Sequence, residues 1–195
     1  MNKIKVLLVE DELFWQENLT RDLSRENDVE VVAIVTTKED AIQASCGMEI
    51  DVILMDIHLT RHYMEGIAAV KEISSRSQSK IIMLTSSEDE QVILRSFEYG
   101  AYNYMTKSNY RNIVGAIREA YRNLSFIHPD IADVLRAGYR DARKEIMLHP
   151  LTPEERRVYE LSLQGLNKPN IARQLQKSIH TVKNQLKAIR DKLNG

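Results

Sequence analysis

Residues 6–12 read VLLVEDE, a short apolar run that ends at three consecutive acidic side chains. It belongs to a series of similar runs in the first part of the chain, at 4–9, 29–35, 51–55, 80–84 and 101–105. The runs are nearly continuous in apolar residues rather than alternating, and most of their members are β-branched or leucine. This pattern is typical of strands that are buried on both faces of a parallel sheet.

The stretches between these runs carry apolar residues at helical spacing. Trp15, Leu19 and Leu23 recur every four positions, and Ile113 and Ile117 do the same after the last run. Strand–helix units in series predict an α/β fold, with a doubly wound five-stranded parallel sheet and helices on both faces. In such a sheet, ligands bind at the carboxyl ends of the strands.

The character of the sequence changes after the last of these units. We predict a first domain at 1–125, a helical linker at 126–149 and a second domain at 150–195. The linker has a modest apolar stripe at helical spacing, which runs from Ile131 to Ile146.

The second domain shows no strand pattern. It has three helix starts, at Thr152, Asn167 and Ser178, whose side chains are suited to cap a helix N-terminus. Glu155, three residues after Thr152, completes the pattern of a capping box. The sequence therefore predicts a small all-α domain of three short helices.

Composition excludes several classes of protein. Of the 195 residues, 43% are hydrophobic and 28% are charged, as in an average soluble globular protein. No apolar stretch approaches the roughly 18 residues of a membrane span, and the N-terminus lacks the pattern of a signal peptide. The single cysteine, Cys46, excludes internal disulfides and cysteine-based zinc sites. We therefore expect a cytoplasmic protein with no membrane partner.

Charge is distributed unevenly along the chain. Residues 1–127 hold 14 basic and 20 acidic side chains, a net charge of −6, whereas 151–195 hold 9 basic and 4 acidic side chains, a net charge of +5. This asymmetry indicates two modules with different partners, and a polyanion is the natural partner of the second.

Polar side chains cluster at the predicted carboxyl ends of the strands. Glu10 and Asp11 follow the first strand, Asp56 the third and Thr85 the fourth, and Lys107 comes shortly after the fifth. Three carboxylates at one edge repel each other unless a cation neutralises them, and all-oxygen ligands favour a hard ion such as Mg²⁺. A carboxylate beside Mg²⁺ can attack a phosphoryl group whose oxygens are held by an ammonium and a hydroxyl.

Residues 1–125 resemble the receiver domain of response regulators, which has a flavodoxin-like fold. The resemblance rests on VLLVEDE with Glu10–Asp11, VILMDIHL with Asp56, IIMLTSS with Thr85, and YNYMTKS with Lys107. It implies that Asp56 takes a phosphoryl group from a sensor histidine kinase or a small phosphodonor, with Mg²⁺ as cofactor. The implied protein is not an enzyme, beyond assisting its own phosphoryl transfer and slow self-dephosphorylation.

The resemblance also implies roles for the neighbours of Asp56. It assigns the metal to the carboxylates of Glu10, Asp11 and Asp56 and to the backbone carbonyl of His58. It further implies that Thr85 and Tyr104 move between two states on phosphorylation, together with the surface of a helix at about 88–99.

The loop after Asp56 departs from the family pattern. The family usually has proline four residues after the acceptor and glycine eight residues after it, whereas here Thr60 and Gly66 stand four and ten residues after Asp56. We expect this two-residue insertion to alter the loop geometry, the lifetime of the phosphate and the kinase contacts. Two alternatives stay open: a phosphatase of small substrates, and a phosphorylation-independent DNA-binding regulator whose loop is locked in one state.

Residues 151–193 resemble the LuxR-type helix-turn-helix of NarL/FixJ response regulators, through LTPEERRVYEL, QGLNKPNIARQL and TVKNQL. At about 100° per residue, Val182 and Ile189 fall on a stripe that faces the core, and basic and amide side chains fall off it. By resemblance, Lys183, Asn184 and Lys187 occupy base-contact positions. We expect further DNA contacts from Thr181, Arg173, His180 and Arg190.

The turn of this motif also departs from the family. Gln176 and Lys177 stand where glycine and an aliphatic residue are usual, so we expect Gln176 to adopt a left-handed backbone and the recognition helix to be held less firmly. The sequence as a whole predicts a NarL/FixJ-type two-component response regulator. In this interpretation, phosphorylation of Asp56 promotes a homodimer and controls sequence-specific binding to double-stranded DNA.

Overall fold

The computed structural model describes residues 2–59, 64–86, 89–124, 127 and 129–193. The chain divides into two compact units, Met1–Arg136 and Ala137–Gly195, and each is described by itself. Residues 60–63 of the loop with the predicted two-residue insertion, and the helix start predicted at 88, lie outside the described residues. Within the described part of the chain, no helix is both long enough and apolar enough to cross a bilayer.

The first unit is built on a parallel sheet, as predicted. Its strands are β1 (Ile4–Val9), β2 (Val29–Val35), β3 (Val52–Met55), β4 (Lys80–Thr85) and β5 (Asn103–Thr106). They lie in the order β2-β1-β3-β4-β5, and every neighbouring pair is parallel. The observed strand ends differ from the predicted ones by at most two residues.

Helices cover both faces of this sheet. They are α1 (Leu13–Leu23), α2 (Lys38–Gly47), α3 (Glu65–Ser74), α4 (Glu90–Glu98) and α5 (Ile113–Tyr121), with a 3-10 helix (Lys107–Asn112) between β5 and α5. Helices α1 and α5 pack on one face, and α2, α3 and α4 pack on the other. This arrangement confirms the doubly wound fold.

Strand side chains alternate between two cores. Leu7 and Ile53 point to the face of α2, α3 and α4, whereas Val6, Leu8 and Leu54 point to the face of α1 and α5. All of these side chains are buried, which explains why the strands read as continuous apolar runs. Each such side chain contributes about 1.5–3 kcal/mol on burial.

The ladder extends one residue beyond the ends of β1 and β3. The backbone N–H of Asp56 donates to the carbonyl of Val9 at 2.9 Å, and that of Glu10 donates to the carbonyl of Val35 at 3.0 Å. These bonds hold the backbone of both acidic residues at the carboxyl edge of the sheet.

The second unit is all-α, as predicted. After the last part of α6 (Pro129–Leu148) come α7 (Pro153–Leu163), α8 (Lys168–Gln174) and α9 (Ile179–Leu193). The predicted caps are confirmed. Thr152 and Glu155 form the capping box, Asn167 accepts from the N–H of Asn170 at 3.0 Å, and Ser178 accepts from that of Thr181 at 3.0 Å.

The predicted apolar stripe of the linker lies on α6 (Pro129–Leu148), and only part of it is buried. Ile131 is buried and packs in the core of the first unit, but Ile146 is 69% exposed. Leu148 is buried in the core of the second unit instead. Two residues correspond to about 200° around a helix, so Leu148 lies on the side of α6 opposite to Ile146. Tertiary packing therefore selects a different face at this end of α6.

Candidate functional site

The three predicted carboxylates meet at the carboxyl edge of the sheet. One oxygen from each of Glu10, Asp11 and Asp56 lies within 4.8 Å of the other two. Glu10 and Asp56 are only 1% and 4% exposed, whereas Asp11 is exposed. The backbone N–H of Ile57 donates to Oδ1 of Asp56 at 2.6 Å, which leaves Oδ2 facing the other charged groups.

Lys107 joins two of these carboxylates. Its Nζ lies 2.8 Å from Oε2 of Glu10 and 2.9 Å from Oδ2 of Asp56, although Lys107 starts the segment after β5. Burial by itself lowers the pKa of Lys107, but the hydrogen bond to Glu10 and the charge of Asp56 outweigh it, and the pKa is raised. The buried side chain therefore remains an ammonium ion.

The cluster holds more negative than positive charge. Burial raises the pKa of Glu10 to about 7, and the charge of Asp56 acts in the same direction, while Lys107 opposes both. A divalent cation would offset the same repulsion, and the carboxylate oxygens are the ligands that Mg²⁺ prefers. The residues therefore fit this ion. The predicted ligand role of the His58 carbonyl, two residues after Asp56, stays a prediction.

Thr85 and Tyr104 lie in the two strands beside this cluster, and both side chains are fully buried. Thr85 ends β4 and pairs with Thr106 of β5, the residue before Lys107. Tyr104 packs in the same core cluster as Val92 of α4. The buried side chain of Tyr104 thus joins β5 to the core that α4 covers.

Gly66 fixes the far end of the loop that follows Asp56. Its N–H donates to the carbonyl of Ile57 at 3.0 Å, and a Cβ at this position would lie 1.9 Å from the carbonyl oxygen of Asp56. Only glycine allows this approach. The longer loop therefore still returns to the backbone of Asp56 at a glycine.

In the second unit, α9 presents a polar face opposite its buried stripe. Val182 and Ile189 are buried against α7 and α8, as predicted. The predicted contact residues are all exposed, namely Lys183, Asn184, Lys187, Thr181, Arg173, His180 and Arg190. The side chains of His180 and Asn184 are hydrogen-bonded to each other, with Nε2 and Nδ2 3.1 Å apart.

The left-handed backbone expected at Gln176, in the turn before α9, is confirmed. Gln176 has a φ of 54°, the left-handed conformation that glycine would adopt without strain. Lys177, at the usual aliphatic position, pairs with Glu154 of α7 and donates to Gln185 of α9 at 3.3 Å. A polar bridge between two helices thus takes the place of an apolar contact.

Comparison with known families agrees with this geometry. Residues 6–118 match the response regulator receiver domain, and residues 149–195 match the bacterial regulatory proteins of the luxR family. The chain belongs to the response regulators. The matched families describe a DNA-binding regulator rather than an enzyme, and together they make this response regulator a two-component transcription regulator of the NarL/FixJ type.

Relatives of similar length support the assignment. The response regulator is 30% identical over 192 residues to the response regulator protein VraR of Staphylococcus epidermidis, covering 97% of this chain and 90% of VraR. It is 26% identical to the transcriptional regulatory protein DegU of Brevibacillus brevis, covering 99% of this chain and 89% of DegU.

Solved structures show the same fold. The RcsB response regulator of Salmonella typhimurium superposes with a TM-score of 0.66 at 22% identity, covering 100% of this chain and 93% of RcsB. A LuxR-family response regulator from Aurantimonas superposes with a TM-score of 0.64 at 26% identity, covering 71% and 99% of the two chains.

Sequence reasoning missed two neighbours of the response regulator's acidic cluster. The ring of Trp15 lies over Nζ of Lys107, 5.2 Å from the ring centroid, and Nε2 of Gln16 donates to the carbonyl of Glu10 at 2.7 Å. The helical pattern assigned Trp15 to core packing only. Its position in the first turn of α1, just after Glu10 and Asp11, is the signal that could have indicated more.

Proposed function

We propose that phosphorylation of Asp56, by a sensor histidine kinase or a small phosphodonor, controls the binding of α9 to double-stranded DNA. The observation that supports this most directly is the buried position of Lys107, within 2.9 Å of both Glu10 and Asp56. A structural ion pair needs one ammonium and one carboxylate. Here the ammonium contacts two carboxylates, and Asp11 adds a third acid at the same edge, so the arrangement favours a phosphoryl-transfer site over a structural ion pair.

The chemistry requires an acceptor, an anion site and a cation site. A carboxylate oxygen of Asp56 attacks phosphorus, and the bond from phosphorus to the donor breaks, with its electron pair leaving on the donor. Lys107 and the Thr85 hydroxyl bind phosphoryl oxygens. Glu10, Asp11, Asp56 and the His58 carbonyl would hold Mg²⁺, which when bound would offset the charge on those oxygens. Hydrolysis of the phosphoaspartate is slow, so the protein assists its own transfer without turnover of a substrate.

In this proposal, buried side chains transmit the effect of phosphorylation from the acidic cluster to α4. A Thr85 hydroxyl that turns toward the phosphoryl group vacates space beside Tyr104, and Tyr104 packs against the core under α4. Two positions of this pair would give α4 two surfaces, one for each state of Asp56. We propose that the phosphorylated surface pairs two chains.

Pairing would strengthen DNA binding, since two linked recognition helices bind adjacent half-sites better than one. RcsB, whose fold this chain shares with a TM-score of 0.62, has been solved as dimers bound to DNA. The exposed face of α9 carries the lysines and the amide that read base edges in a major groove. We place the protein in the cytoplasm, where DNA is accessible and the lone Cys46 stays reduced.

Light scattering of the full chain tests the switch. With Mg²⁺ and beryllofluoride, which stands in for the phosphoryl group, we expect the wild type to shift from monomer to dimer and Asp56→Ala to stay monomeric. An unchanged mass in the wild type would favour the phosphorylation-independent regulator. Steady release of phosphate from small esters would favour the phosphatase.

The DNA face gives a separate prediction. We expect Lys187→Ala to weaken binding to a selected operator about tenfold, because one phosphate or base contact is lost. The slope of the logarithm of affinity against the logarithm of salt concentration should fall in magnitude by about one. Fluorescence anisotropy across a salt series measures both quantities. Lys144→Ala, an exposed lysine on α6, is the matched control. An equal loss in both variants would mean that net charge, and not the α9 face, drives binding.

A further inference from the structure

We propose that Trp15 positions Lys107, holding its ammonium group by a cation–π contact so that the group can pass from the Asp56 carboxylate to a phosphoryl oxygen. The inference rests on the proposed phosphorylation of Asp56. It gives a role in that reaction to a residue that touches neither the carboxylates nor the phosphoryl group.

The geometry around Nζ leads to this role. A lysine ammonium has three donors and no acceptor, and Glu10 and Asp56 take two of these donors. The side chain is 4% exposed, so water has little access to the remaining side. The Trp15 ring lies over the same nitrogen at 5.2 Å, within the range of a cation–π contact.

The ring is itself held by the segment that carries the lysine. Tyr110 belongs to the 3-10 helix that begins at Lys107, and its ring packs edge-on against Trp15 with centroids 5.5 Å apart and an interplanar angle of 75°. Trp15 is half-buried and also packs on the α1 and α5 face of the sheet. The indole is therefore fixed relative to both the sheet and the start of the 3-10 helix.

A ring suits this position better than a further charged partner. Phosphorylation moves negative charge outward from Asp56, and Lys107 must follow it. A third carboxylate would hold the ammonium by a directional bond that has to break. The face of an indole attracts a cation over a broad range of positions, so the ammonium can shift while the contact persists.

Variants at Trp15 separate this role from simple packing. Binding of beryllofluoride in the presence of Mg²⁺ is measured by ¹⁹F NMR on the full chain, with a thermal melt of each variant. We expect Trp15→Leu to weaken binding about tenfold and Trp15→Phe to restore most of it, because phenylalanine keeps an aromatic face. Trp15→Met replaces the leucine variant if that protein does not fold.

Tyr102→Leu is the matched control. The ring of Tyr102 lies 5.4 Å from Nζ of Lys80, which begins β4 at the opposite edge of the sheet. The substitution therefore removes a similar cation–π contact that is remote from the acidic cluster. Equal binding by folded Trp15→Leu and wild type, or equal losses in Trp15→Phe and Trp15→Leu, would overturn the inference. Failure of the wild type to bind beryllofluoride would instead overturn the proposed function.

Discussion

Replacing Lys107 with methionine is expected to lower the free energy of unfolding by about 3–5 kcal/mol and to abolish the response to beryllofluoride. Methionine keeps most of the volume but leaves two buried carboxylates facing each other without their cation. Urea unfolding of the full chain, followed by tryptophan fluorescence, reports on the first unit because Trp15 is the sole tryptophan. A pH of 8 lies above the pKa of about 7 for Glu10 in the wild type. Loss of Lys107 raises this pKa further, so proton uptake by Glu10 at lower pH would relieve part of the loss.

Two further variants test the reason for this loss. Glu10→Gln in the Lys107→Met background removes one of the facing charges, so we expect it to recover most of the stability and none of the response. Lys3→Met removes an exposed lysine that precedes β1 and should change stability by less than about 0.5 kcal/mol. Wild-type stability in Lys107→Met would contradict the assignment of a buried ion pair.

Gly66→Ala is expected to destabilise the first unit by about 2–3 kcal/mol. The new Cβ would lie 1.9 Å from the carbonyl oxygen of Asp56 and 2.9 Å from the Cα of Ile57, and backbone atoms cannot rotate away as a side chain can. The backbone of Asp56 must therefore move, and we expect a weaker response to beryllofluoride in the same variant. The same unfolding and NMR measurements quantify both effects.

Gly115→Ala is the control for this substitution. Gly115 lies inside α5, and a Cβ there would meet nothing within 4 Å. Because alanine favours a helix over glycine, we expect a gain of about 0.5–1 kcal/mol. A similar loss in both variants would show that glycine-to-alanine changes act here through something other than the contact with Asp56.

The sheet and the caps could be predicted because their causes are local. Continuous β-branched runs form buried strands whatever follows them, and Thr152, Asn167 and Ser178 cap the backbone within three residues of themselves. The left-handed backbone of Gln176 was predicted from the resemblance to the LuxR-type motif, in which glycine is usual at this turn.

What could not be predicted depends on distances between separate elements. The sequence placed Lys107 at the right edge of the sheet, but the register of β4 and β5 decides that its Nζ reaches both Glu10 and Asp56. Helical spacing alone cannot tell which side of α6 finds a core, and it does not reveal that Ile146 is left exposed. For Trp15, packing and a contact with Lys107 give the same spacing.

The acidic cluster and its lysine come from the ends of strands that are distant in sequence, since Lys107 lies 51 positions after Asp56. No hairpin or single strand–helix unit contains the cluster, so it exists only when the central sheet is complete. A ligand bound there has no comparable affinity for a partly folded chain, and by linkage its binding free energy adds to the stability of the whole first unit. A bound ligand thus also lowers the population of globally open molecules that a protease can cleave.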